Sequence, residues 1–186
     1  MGLLILNSRG INTIGGVKII RDRLESLGLD EFKYNKIFVV SYPYYEVDEF
    51  IINNLVKIIG FEKENIYLFS NGIPEGIIPD FVYVTEGNIF EILKYMRLEG
   101  HVDYIRNWYK KKKNAIYIGL SAGAMIAGTD VALASDFDSN YVGLTDYESL
   151  GLFDGIVIPH YEPDQLERYL SLTEEYINVT ILLQNF

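Results

Sequence analysis

One serine set among glycines, and one of only two histidines, are the residues in this sequence best suited to attack a carbonyl. Gly119-Leu120-Ser121-Ala122-Gly123 reads G-x-S-x-G. That spacing places a serine on a sharp strand-to-helix turn, with its hydroxyl above the edge of a sheet. The turn needs small neighbours because backbone passes close to backbone there. Gly119, Ala122, Gly123 and Ala124 supply them. The Ala122 amide falls at a helix start, where N–H groups lack intrahelical acceptors, and can donate to a developing oxyanion. Taken alone, the pentapeptide fits an ordinary turn with a helix-capping serine equally well. A serine nucleophile also requires a base. His160 follows Ile156-Val157-Ile158-Pro159, which predicts a loop at the C-terminal end of a strand. Open α/β sheets gather ligands at that edge. His101, after Gly100 and near a helix start, reads as a surface or capping residue.

Thr85-Glu86-Gly87-Asn88 also lies between a strand-like and a helix-like segment. Such a turn exposes backbone amides and suits a second oxyanion donor or a carboxylate site. A plain loop with Asn88 capping the helix is the simpler alternative. The chain has no cysteine, which excludes disulfides, thiolate zinc sites and a cysteine nucleophile. That composition suits a reducing cytoplasm, the expected location. Two isolated histidines form no metal-ligand pattern, and Gly10–Gly16 lacks the Gly-Lys-Ser/Thr ending of a phosphate loop. No metal or cofactor is expected. The formal net charge of −10 argues against nucleic acid as a partner. No segment approaches the ~20 apolar residues of a membrane span. The lysine run Lys110–Lys113 reads as a solvated helix end.

These residues must be positioned by the elements around them. Short apolar runs at Leu3–Leu6, Ile37–Ser41, Ile66–Phe69, Phe81–Val84, Ala115–Ile118, Ile156–Ile158 and Val179–Leu183 read as strands. Helical patterns cover Gly15–Leu27, Val47–Ile59, Asn88–Leu98, Val102–Lys112, Ala122–Ala127 and roughly Gln165–Tyr176. Asn71–Pro79, with two glycines and two prolines, is a loop. The alternation predicts an α/β fold: a three-layer sandwich, mostly parallel, with helices on both faces. The length predicts a single domain over residues 1–186. Tyr42, Tyr44 and Tyr45, after a strand, would line either a cleft or a packed loop.

The same features, in the same order, resemble the serine-peptidase family of dipeptidase E (aspartyl dipeptidase) and cyanophycinase. Tyr117-Ile118-Gly119-Leu120-Ser121-Ala122-Gly123-Ala124 matches that family's Y-x-G-x-S-A-G-A at every fixed position. Its Gly-Gly-Asn turn is similar to Glu86-Gly87-Asn88, its acidic patch to Ser135-Asp136-Phe137-Asp138, and its Pro-His-aromatic triplet to Pro159-His160-Tyr161. The resemblance runs from about residue 80 to 183. It implies a flavodoxin-like sandwich related to the class I glutamine amidotransferases. It also implies Ser121 as nucleophile, His160 as base, and the Gly87 and Ala122 amides as an oxyanion hole. Asn88, Asp136 and Asp138 would bind substrate or support the site. A small peptide would be the substrate, and a homodimer stays open.

Three departures stand beside the resemblance. The family's triad acid would fall at about Phe186, where no carboxylate side chain is found. A shortened chain, or an acid drawn from Asp136, Asp138, Glu162 or Asp164, would account for that. An arginine-bearing segment after the histidine is reduced here to Arg168, which weakens the expectation of aspartyl specificity. Glu86 stands where the family has glycine, beside the expected oxyanion hole. The leading expectation is a serine exopeptidase or dipeptidase. A non-catalytic binding module and an esterase are the alternatives.

Overall fold

The computed structural model describes residues 2–8, 14–28, 31–41, 45–171 and 178–183. Five strands form one parallel sheet in the order β1-β5-β4-β2-β3: β1 Leu3–Asn7, β2 Ile37–Val40, β3 Ile66–Leu68, β4 Phe81–Val84 and β5 Ile116–Leu120. Helices α1 (Ile14–Ser26), α2 (Tyr45–Asn54), α3 (Ile89–Leu98), α4 (His101–Lys111) and α5 (Ala122–Ile126) connect and cover these strands. β6 (Ile156–Tyr161), α6 (Leu166–Ser171) and β7 (Val179–Leu183) follow.

All four residues of β2 and of β4 are buried, as unbroken apolar runs require when both faces of a sheet are covered. Alternate side chains serve opposite faces. Phe38, Val40, Val82, Val84 and Tyr117 pack with Phe90, Leu93, Ile105, Trp108 and Met125 of α3, α4 and α5. Ile37, Val39, Phe81, Tyr83 and Ile118 pack with Ile20, Leu24, Ile51 and Leu55. The result is the expected sandwich.

Several details differ from the sequence expectations. The last two strands do not join the main sheet; β6 and β7 pair with each other in parallel. The helix expected over Val47–Ile59 starts at Tyr45 and ends in a π-helical turn, Leu55–Ile59, closed by Gly60 at φ 105°. Of the helix expected near Gln165–Tyr176, α6 covers Leu166–Ser171, and residues 172–177 lie outside the described residues. Tyr42 and Tyr44 also lie outside them, and Tyr45 begins α2.

His101 is not at the surface. It is 1% exposed, with its ring 4.4 Å from that of Phe69 and 5.4 Å from that of Tyr95. Local sequence showed a helix start but not the aromatic layer closing over it. Among the described residues, no helix is long and apolar enough to cross a membrane.

Candidate active site

Ser121 sits immediately after β5, at φ 48° and ψ −105°, and α5 begins at the next residue. Non-glycine residues rarely adopt a positive φ. Here the surroundings enforce it. The Ser121 amide donates to the Asn7 carbonyl at the end of β1 (2.8 Å), and the Gly123 amide donates to the Thr85 carbonyl after β4 (3.2 Å). A side chain at Gly123 would overlap the Val84 carbonyl, and one at Gly119 would overlap the Gly123 carbonyl. These close approaches are the physical content of the two glycines in G-x-S-x-G. Tyr117, fully buried, donates its hydroxyl to the Gly123 carbonyl at 2.7 Å, and so ties β5 to the first turn of α5. With Ser121 and Gly123 both engaged, the Ala122 amide has no backbone acceptor among the described residues.

Ser121 Oγ lies 2.7 Å from His160 Nε2. The two residues are 39 positions apart, and the fold brings them into direct hydrogen-bond contact, the relation a general base needs. His160 lies within β6 rather than in a loop after it. Pairing with β7 runs from Ile158↔Ile181 to Tyr161↔Leu183, so β6 carries one extra residue across Pro159-His160. Proline has no amide for the ladder and is confined to edges and bulges. A bulge re-aims a side chain, and His160 within it stands at φ 55°. The Ser8 hydroxyl oxygen, 2% exposed just beyond β1, accepts the freed His160 amide at 2.6 Å and lies 3.5 Å from His160 Nδ1. The Phe137 ring stands 6.3 Å from that of His160, which brings the Asp136–Asp138 segment beside this histidine.

β4 and β5 are neighbours, with Val84 opposite Gly119, so the turn after β4 adjoins the serine elbow. Gly87, at φ 144°, is exposed there. Asn88 caps α3, its Oδ1 accepting from the Glu91 amide at 3.1 Å, while its Nδ2 donates to the Ser139 carbonyl at 3.0 Å. The Asp138 carboxylate accepts the Ile89 amide at 2.8 Å. Asn88 and Asp138 thus lace the Gly87 turn to the acidic segment. Asp136 is exposed at the end of a 3-10 turn, Ala132–Asp136. Glu162 and Asp164 are exposed beyond β6. Glu86 is half-buried, and burial raises its carboxyl above the usual carboxylate range.

Sequence reasoning had no means of finding Ser8. It lies 152 positions from His160 and belongs to no motif. Tyr117 appeared within the matched motif, but its bond to Gly123 could not be read from the chain.

The family model for peptidase family S51 matches residues 71–185. An uncharacterized peptidase of Listeria monocytogenes is 39% identical over 84 residues, 44% of this chain and 40% of that protein. Peptidase E of Haemophilus influenzae is 27% identical over 106 residues, 57% of this chain and 47% of that protein. The chain's matches therefore span less than half the length of these relatives. A crystal structure provisionally described as a Peptidase E protein, also from Listeria monocytogenes, superposes with a TM-score of 0.64 at 24% identity. That superposition covers 99% of this chain and 90% of the other, and it agrees with the sandwich described above. With the family model spanning the elbow, the bulged histidine and the turn after β4, the chain belongs to peptidase family S51.

Proposed function

We propose that this chain is a serine-type peptidase, an exopeptidase or dipeptidase that cleaves small peptides through an acyl-enzyme. The observation that carries the reading is the 2.7 Å contact between Ser121 Oγ on its strained elbow and His160 Nε2. In the proposed reaction Ser121 Oγ attacks the scissile carbonyl carbon as its proton passes to Nε2. The amides of Ala122 and Gly87 receive the charge that develops on the carbonyl oxygen. His160 then gives the proton to the leaving amine, and the C–N bond breaks to leave an ester on Ser121. Water, deprotonated by the same nitrogen, attacks that ester; the ester C–O bond breaks and Ser121 recovers its proton. Asp136, on the segment beside the base, offers a carboxylate to the free α-ammonium group of a short substrate.

A cytoplasmic setting, the chemistry of a small peptide pool, and the lack of cysteine agree with one another. A panel of dipeptides with acidic, neutral and basic N-terminal residues, read by amine release, tests the proposal. Release that disappears in Ser121→Ala supports it. A folded parent that cleaves no member of the panel, nor an N-blocked ester, would count against it.

A further inference from the structure

We propose that Ser8 is a positioning residue of His160: its hydroxyl holds the histidine in the bulge and helps to orient the Nδ1 side of the ring. The proposal rests on the hydrolase reading above and adds a residue to it. Three observations carry it. First, the bulge at Pro159-His160 removes the partly buried His160 amide from the β6–β7 ladder, and an amide left unpaired away from water is costly. Ser8 Oγ takes that amide at 2.6 Å. Second, the same oxygen lies 3.5 Å from Nδ1. For Nε2 to accept the Ser121 proton, the neutral ring must carry its own proton on Nδ1, and Ser8 Oγ is an acceptor placed on that side. The distance is long, as catalytic hydrogen bonds often are before substrate binds. Third, Ser8 is next in sequence to Asn7, whose carbonyl accepts the Ser121 amide at 2.8 Å. The end of β1 therefore fixes the nucleophile through Asn7 and the base through Ser8. A hydroxyl at 2% exposure has its geometry set by packing, which suits a residue that must hold an imidazole in one orientation.

The test compares the parent with Ser8→Ala, Ser8→Thr and the near-isosteric Ser8→Cys. Labelling by a fluorophosphonate is followed as a rate across pH 5 to 9. The imidazole ¹⁵N–¹H spectrum of His160, assigned by its loss in His160→Asn, reports the tautomer. Ser8→Ala is expected to label on the order of 10-fold to 100-fold more slowly, with the ring passing from the Nδ1–H form to a mixture. Ser8→Thr, which keeps the hydroxyl, is expected within about threefold of the parent. A merely structural role would lower stability without moving the tautomer. Parent-like rate and tautomer in Ser8→Ala would overturn the proposal. Should Ser8→Ala fail to fold, Ser8→Cys, a weak hydrogen-bonding group, decides by the same two readouts. Should the parent itself not label, the hydrolase reading fails, and the spectra of parent and variant still decide the role of Ser8.

Discussion

Ser121 and His160 both hold positive φ angles, each costing on the order of 1–3 kcal/mol that the surrounding fold must offset. Both are held at their amides from one place, the end of β1: Asn7 takes the Ser121 amide and Ser8 the His160 amide. Strain at two residues in mutual hydrogen-bond contact is the pattern of a preorganised site. Glu86 has the opposite relation to that site. Its half-buried carboxyl is raised by burial, so the folded state binds its proton more tightly than the unfolded chain does. That contribution to stability is present below the unfolded value and is lost as pH rises through the folded one. At neutral pH the charged form is therefore disfavoured in the folded chain, and Glu86 is next in sequence to Gly87, a proposed oxyanion donor. Glu86→Gln is expected to raise the thermal midpoint at pH 7 and to leave it unchanged near pH 4. It is also expected to speed fluorophosphonate labelling a few fold. A lower midpoint at pH 7 would mean that Glu86 has a stabilising partner in the folded chain.

The candidate site is a product of strand neighbours. The order β1-β5-β4 sets Ser8, Ser121 and the Gly87 turn side by side along one edge. Most of these elements were legible in the sequence because their patterns are local. The apolar runs of β2 and β4 and the small residues around Ser121 each announce their environment. The bulge in β6 was not legible, since Pro159 marks an irregularity without saying where the next side chain will point. The separate β6–β7 sheet, the π-helical turn after α2 and the partnership of Ser8 depend on contacts between distant parts of the chain.

His101 is the instructive error. Gly100 before it announced the start of α4 correctly, but burial against Phe69 and Tyr95 is a tertiary fact. That burial lowers its pKa from 6.5 to about 4. The unfolded chain therefore takes up a proton before the folded one does. Stability is full above about 6.5 and falls as pH drops toward 4. His101→Phe, which keeps the ring in its aromatic layer, is expected to lose less stability than the parent between pH 7 and 4.5 in urea denaturation. Parallel losses in the two proteins would contradict this account of His101.

The whole molecule is a parallel α/β sandwich with an acidic surface and a functional edge built from residues 7 to 161. Its family membership rests on the segment from residue 71 onward, yet two of the contacts that hold Ser121 and His160 come from the last residue of β1 and the residue after it. In the proposed reaction the matched motif supplies the reacting groups, and the end of β1 holds both at their amides. We propose Ser121 as an activated nucleophile with His160 as its base. Treatment of the purified chain with a fluorophosphonate, beside Ser121→Ala and His160→Ala, tests it most directly by intact mass. One covalent adduct is expected on the parent, none on Ser121→Ala, and labelling slower by at least about 100-fold on His160→Ala. A folded parent that gains no mass, or a His160→Ala variant that labels at the parent rate, would contradict it.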